Sequence, residues 1–341
     1  MILLTIVVER GNMAFKADRL KEMNLQKIKD YFYREKKANK SSLSESTGIS
    51  KTTCTTLLKE LVEEGFLYQD SDYDSTGGRP SKGYRLNPDY QHNCLIYLKQ
   101  GEPHQIEIQV RDFAGDRKIS LSQKAEGSCI EELYNLLDEI FQKDSKITVA
   151  AVSLPGVINR QYDVLSCDIW ELEGKNLNTL IGKKYGVKVI AENDVNLAAI
   201  GYHTREDSLA FLYQPKIGYS GCGIVLNHQL YRGNTLFAGE IGYLSGCAFM
   251  EPEDFDTAQN LIVQQLTALI CVLNPAEIVI CSCYDFDEEM LIESLSDTLT
   301  SEHLPGLQIV PELENYIFNG LMEAAVDAGR NHLKLREVRR V

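Results

Sequence analysis

The chain has 341 residues, of which 44% are apolar and 25% charged, with a formal net charge of −14. This is the composition of a folded globular chain with ample material for a core, and it excludes a disordered or collagen-like one. No run approaches the ~18 consecutive apolar residues of a membrane span, and the apolar start Met1 to Val8 lacks the basic opening and small-residue cleavage site of a signal peptide.

Met13 begins a more ordinary opening, so residues 1–12 are expected to be an upstream-start artefact or a flexible leader. From there, Leu25, Ile28, Tyr31 and Phe32 recur at helical spacing and predict a helix over Met23 to Lys37. The basic run Arg34 to Lys40 ends it. Ser42 followed by Glu45 reads as a capping box opening a short helix. Gly48 ends that helix in a left-handed turn. Ser50 caps a second, longer helix from Lys51 to Glu64, closed by Gly65. Short helix, glycine turn and longer helix give a helix-turn-helix. The first turns of the second helix carry Lys51, Thr52, Thr53, Thr55 and Thr56, short polar side chains and one base where a recognition helix meets base edges and phosphates. Phe66-Leu67-Tyr68 and Gly83-Tyr84-Arg85-Leu86 predict a β-hairpin wing. It holds Gly77-Gly78-Arg79-Pro80 and Lys82: glycines free the backbone to approach DNA, and the arginine suits a narrow minor groove.

Charge is divided in the same way. Residues 1–92 hold 15 Lys+Arg and 13 Asp+Glu, a net of +2, while the remainder holds 20 and 36, a net of −16. An acidic body repels DNA and confines contact with it to the N-terminal part. The nine cysteines are odd in number and scattered, and with no secretory signal they predict reduced thiols and a cytoplasmic chain.

From Cys94 onwards, strand-like and helix-like runs alternate, which predicts an α/β fold. Four segments carry possible chemistry. Ser153-Leu154-Pro155-Gly156-Val157 ends a buried strand in a turn. Ala191-Glu192-Asn193-Asp194-Val195-Asn196 follows another strand, at the carboxyl end where α/β proteins bind ligands. Asn193 and Asp194 there suit paired sugar hydroxyls, Asp194 could act as a general base, and capping of the next helix by Asp194 is compatible with both. Lys216 to Leu226 is a glycine-rich hairpin that either cradles phosphate or simply turns. Tyr231 to Tyr243 sets one carboxylate, Glu240, between glycines.

In this order the motifs resemble the ROK family (repressors, open reading frames and kinases), in its transcriptional-regulator branch. The resemblance runs from about residue 24 to the C-terminus. It rests on Gly77-Gly78-Arg79-Pro80, Pro155-Gly156, Glu192 to Asn196, Gly221 to Asn227, Gly239-Glu240-Ile241-Gly242 and Asn274 to Ile280. It implies a winged helix-turn-helix over 20–90 and, over 93–341, an actin-like (ribonuclease H-like) sugar-kinase-type domain. One lobe would comprise about 93–195 plus the C-terminal helix, and the other about 196–315. It implies sugar contacts at Gly156, Asn193, Asp194 and Glu240, with Glu251 standing in for a further glutamate. Asp194 matches the catalytic base of kinase members.

Three departures follow. The kinases' Asp-x-Gly-Gly-Thr phosphate loop is replaced by Tyr97-Leu98-Lys99-Gln100-Gly101-Glu102-Pro103-His104, which argues against ATP-dependent phosphoryl transfer. Tyr243 stands where many members have histidine. Only Gly246-Cys247 remains of the zinc segment, and one cysteine does not make a four-ligand site. The expectation is therefore a sugar-responsive regulator of carbohydrate genes. It would bind double-stranded operator DNA as a homodimer or homotetramer, with no enzymatic activity, cofactor, metal or membrane partner. The alternatives are a sugar kinase with an attached DNA-binding domain and a ligand-independent regulator with a degenerate cleft.

Overall fold

A computed structural model describes residues 2–70, 83–216, 219–244 and 254–338. The expected wing tip with Arg79 and Lys82, and Cys247 and Glu251, lie outside the described residues. The chain divides into two compact units, Met1–Gln91 with Asp112–Asp116, and His92–Arg111 with Arg117–Val341.

In the first unit, α1 (Ile2–Glu35) and β1 (Lys37–Asn39) precede α2 (Lys40–Thr47), α3 (Lys51–Glu63), β2 (Leu67–Asp70) and β3 (Gly83–Leu86). The first helix starts earlier than the apolar period suggested, because helix formers without proline continue upstream of Met23; residues 2–12, read as a leader, are part of it. It ends at Lys36, in the left-handed region at φ 61°. Lys37 then opens a strand that pairs with β3, making a three-stranded sheet in the order β1-β3-β2. The cap of α2 falls three residues before the expected Ser42. The Asn39 side chain accepts from the N–H groups of Ser41 and Ser42, and Ser42 closes the box from inside the helix. Gly48 is left-handed at φ 72°, as its position required. Ile28, Phe32, Leu43, Leu57, Leu58 and Leu61 are fully or almost fully buried and form the helical core, each stabilising the fold by roughly 1.5–3 kcal/mol.

The second unit repeats one topology. In its first lobe, β4 (His92–Lys99), β5 (His104–Arg111) and β6 (Arg117–Ala125) form a meander, followed by α4 (Cys129–Lys143), β7 (Ile147–Leu154), the small hairpin β8 (Gly156–Ile158) and β9 (Val164–Cys167), α5 (Lys183–Tyr185) and β10 (Lys188–Asn193). The sheet order is β10-β7-β4-β5-β6, with β7 and β10 parallel to β4. The second lobe begins with α6 (Asp194–Gly201). It continues with β11 (Ser208–Gln214), β12 (Gly221–Leu226), β13 (Gln229–Leu230), α7 (Phe255–Leu273), β14 (Glu277–Ser282), α8 (Glu288–Ser296), β15 (Gly306–Val310) and α9 (Glu314–Val338). Its sheet order is β13-β12-β11-β14-β15, again a meander flanked by two parallel strands. Each sheet has its own buried core.

The two helices that leave the last strand of each lobe change sides. α6 leaves β10 of the first sheet and packs on β11 and β12 of the second, while α9 leaves β15 and packs on β4 and β7 of the first. They meet through glycines. A Cβ on Gly201 would fall 1.9 Å from the Tyr316 carbonyl oxygen, and one on Gly320 would fall 2.1 Å from that of Leu197. Among the described residues no helix is long and apolar enough to cross a membrane.

Candidate functional site

Four strands of the second unit, β4, β7, β10 and β11, point their carboxyl ends at one cleft between its lobes. Tyr97 and Lys99 stand at the end of β4, Pro155 follows β7, Asn193 ends β10, and Tyr213 stands near the end of β11; all line a cavity of about 320 Å³. Gly156, Asp194 and Glu240 share that lining, so the cleft brings together four of the five residues the sequence singled out for sugar.

Glycine makes this geometry possible at two places. Gly156 pairs with Cys167 in the β8–β9 hairpin, where a Cβ would lie 2.2 Å from the Ser166 carbonyl oxygen. Gly239 sits at φ 93°, with a would-be Cβ 1.8 Å from the Cys222 carbonyl oxygen. Its own carbonyl accepts from Cys222 N–H at 2.8 Å, and Gly242 N–H donates to Ser220 at 3.0 Å. The turn is thus fastened to β12, and Glu240 between these anchors is held at the cleft. Gly223 of β12 serves helix packing, in keeping with the plain-turn alternative to a phosphate cradle. A Cβ on Gly223 would meet the Ala199 Cβ at 2.5 Å and the Val195 carbonyl at 2.6 Å, so this glycine admits α6 against the sheet.

Asn193, and not Asp194, caps α6. Its Oδ1 accepts from the N–H groups of Val195 (2.9 Å) and Asn196 (3.3 Å), and its Nδ2 donates to the Gly156 carbonyl at 3.2 Å. The side chain therefore ties helix, strand end and hairpin together. It retains one amide hydrogen for a ligand. Asp194 is buried, and its Oδ1 accepts from Val195 N–H at 2.8 Å. Burial pushes its carboxyl up to about 7, and the carboxylates of Asp168 and Glu240 add to the rise. Glu240 and Asp168 are themselves raised by burial. Three carboxyl groups with weakened acidity thus face one cleft, suited to accept hydrogen bonds from a polyhydroxylated ligand.

Sequence reasoning missed Asp168. It lies after β9 in an irregular stretch, with no period to mark it, and only the fold carries it to the cleft. It also missed the aromatic lip. The Tyr219 and Tyr243 rings stack at 4.8 Å with an interplanar angle of 1°, and Phe237 packs at 5.3 Å on Tyr243. Gly242 leaves room for the Tyr219 ring, whose Cβ would otherwise lie 2.8 Å from a side chain there. The turn after β4 contains neither the paired glycines nor the aspartate of a phosphate loop. Nearby, burial and a hydrogen bond with Glu314 push the Glu107 carboxyl up to about 7, with Lys99 and Glu312 close by.

In the first unit, Lys51, Thr52, Thr55 and Thr56 lie exposed on the first turns of α3. Thr53 is half-buried and engaged with the cap: its Oγ1 lies 2.9 Å from Ser50 Oγ, and Ser50 caps the helix through Thr53 N–H at 3.2 Å. Cys54 is buried beside it. One face of the helix thus anchors it, and the other presents a base and three hydroxyls.

A winged helix-turn-helix in the first unit and an actin-like pair of lobes around a carboxylate-lined cleft in the second define a class of two-part proteins. Comparison with known families agrees. Residues 111–283 match the ROK family and residues 27–68 match a winged helix-turn-helix DNA-binding family. The chain belongs to the ROK family. It is similar to the xylose repressor of Caldicellulosiruptor bescii, 24% identical over 239 residues that make up 66% of this chain and 59% of that protein. It is likewise similar to the xylose repressor of Bacillus subtilis, 22% identical over 241 residues, 66% of this chain and 61% of that one. The chain thus spans about three-fifths of the length of these curated relatives. Among solved structures, a ROK family transcriptional regulator, homologue of the E. coli MLC protein, superposes with a TM-score of 0.74 at 16% identity, over 93% of this chain and 99% of that one.

Proposed function

We propose that the chain is a cytoplasmic, sugar-responsive transcriptional repressor of carbohydrate genes, acting as a homodimer or homotetramer on double-stranded operator DNA. One observation carries the reading. A DNA-binding unit with an exposed, hydroxyl-rich first turn of α3 shares a chain with a sugar-kinase-type cleft whose carboxyl groups remain and whose phosphate loop does not. The relatives named xylose repressors support it. Sugar bound between Asn193, Asp194 and Glu240 would favour one arrangement of the lobes, and a ligand shifts that equilibrium only by its difference in affinity for the two. Closure would then alter the spacing of two winged helices across a dimer. Gly156 would border the sugar, and Arg79, Lys82 and Glu251 keep the wing and sugar-binding roles proposed from the sequence.

A kinase reading has one observation in its favour: a buried Asp194 near pH 7 is poised as a general base. Against it stand the lost phosphate loop and the acidic surroundings of Lys99, where Glu107, Glu312 and Glu314 would oppose a polyphosphate. We infer no metal or cofactor requirement.

Thermal shift with a panel of sugars, each with and without ATP and magnesium, tests the reading. A sugar at ~100 times its dissociation constant is expected to add roughly 2.7 kcal/mol without nucleotide. Sugar-dependent ADP release abolished by Asp194→Asn would instead establish a kinase. For α3, Lys51→Ala is expected to weaken binding to all DNA sequences and lower the salt slope by about one, whereas Thr55→Ala and Thr56→Ala are expected to weaken the operator selectively by ~1–3 kcal/mol. Salt-dependent anisotropy titrations on operator and scrambled DNA separate the two effects.

A further inference from the structure

Beside the cleft lies a second cavity of about 420 Å³, whose lining adds to Gly156, Asn193 and Glu240 a set of residues to which no sugar contact was assigned above. It opens behind Asn193, between the β8 hairpin and the loop after β13. It shares Gly156, Asn193, Asn196 and Glu240 with the cleft, so the two chambers meet along one wall. Two arginines line it, Arg160 from the first lobe and Arg232 from the second. The second is matched: Arg232 Nε donates to Glu192 Oε2 at 2.7 Å, and Glu192 Oε1 accepts from Asn196 at 3.0 Å. That ion pair spans the lobes and holds the guanidinium in place, with only Nε engaged among the described residues. Arg160 has neither a hydrogen bond nor an ion pair among the described residues. Glu192 answers one of the two positive charges, and Glu240, the other acid of the lining, has its ionisation opposed by burial. A solvent-exposed guanidinium without a protein counter-charge among the described residues thus stands on the lining of a chamber in a domain whose acids outnumber its bases.

We propose that this side chamber binds the oxyanion of an acidic effector, a phosphate or carboxylate borne on a sugar whose hydroxyls face the shared wall at Asn193 and Glu240. The proposal rests on the sugar-sensing reading above and names the class of sugar. Guanidinium recognises such oxyanions through two parallel N–H bonds, which an ammonium does not match. Arg232, tied to Glu192 across the lobes, would add its terminal nitrogens to the same anion. Occupancy would then strengthen the lobe-to-lobe contact that the ion pair already makes.

Calorimetric titration of the full chain tests this with matched sets of probes: neutral aldopentoses and aldohexoses, their terminal phosphates, the corresponding uronates, and inorganic phosphate alone. The expected result is that one acidic member binds at least ~10-fold more tightly than its neutral parent, as charge-assisted hydrogen bonds imply. Arg160→Ala is expected to erase that advantage while leaving the affinity for the neutral parent unchanged. Arg160 is exposed and has no partner among the described residues, so its variant should melt as the unsubstituted chain does, and the melting curve checks this. Preference for the phosphate or for the uronate identifies the source of the oxyanion. A neutral sugar binding as tightly as its acidic forms, or an acidic preference that survives Arg160→Ala, overturns the side chamber and leaves the sensor reading standing. Binding of no member of the panel overturns both.

Discussion

Asp194→Asn is expected to stabilise the folded chain at pH 8 while removing its response to sugar. The carboxyl is raised from its ordinary 3.8 to about 7, first by burial and then by Asp168 and Glu240. An acid raised in the folded state supports the fold fully below its unfolded value and loses that support as pH rises through the folded one. Below about pH 4 both states are therefore protonated. Between about 4 and 7 the unfolded chain releases a proton that the folded chain still holds, and stability falls; above 7 the loss is complete. At about 1.36 kcal/mol per unit the loss reaches at most about 4 kcal/mol. Asparagine does not titrate, and its Oδ1 keeps the acceptor role towards Val195. Urea unfolding at pH 8 should therefore give a higher midpoint for the variant, with the difference vanishing near pH 4. Sugar affinity should fall by ~10-fold or more, because a neutral amide replaces a charge-assisted acceptor. A variant less stable at pH 8 would mean that the ionised carboxylate has a favourable partner in the fold.

Gly320→Ala is expected to cost about 3 kcal/mol or more, although alanine is the better helix former by ~1 kcal/mol. The added carbon would lie 2.1 Å from the Leu197 carbonyl oxygen, and backbone cannot swing aside as the end of a side chain can. The same holds for Gly201→Ala against Tyr316. These contacts join the two helices that exchange lobes, so forcing them apart disturbs both sheets. At roughly 2–4 °C per kcal/mol for a unit of this size, melting should fall by about 6–12 °C. A rise in melting temperature would show that helix propensity outweighs the contact.

Local signals in the sequence were legible wherever one residue had one task. Ser50, Gly48 and the apolar spacing of α3 each predicted what they form. So did the strands leading to Pro155 and Asp194, and the carboxylate between Gly239 and Gly242. Other features depend on partners far along the chain. β1 is a three-residue polar strand with no period, and it exists because β3 offers it an edge. Asn39 and Ser42 are both sound capping residues, and only the backbone decides between them. Asn193 and Asp194 compete for one helix start in the same way. Gly223 looks like a phosphate-binding glycine until α6 is seen against it. Asp168 and Arg160 stand in irregular loops and acquire significance only from the cavities they reach.

The central claim is that one chain couples operator DNA to a sugar in the cleft. It is tested most directly by titrating the full chain onto labelled DNA from upstream of its own gene, with and without each sugar of the panel and its acidic forms. The account predicts salt-dependent, sequence-selective binding that one member of the panel weakens by ~10-fold or more, a coupling of about 1.4 kcal/mol. Asp194→Asn should bind the same DNA and ignore that compound. DNA affinity that no compound alters, or selective binding that persists after the exposed face of α3 is replaced by alanine, would contradict it.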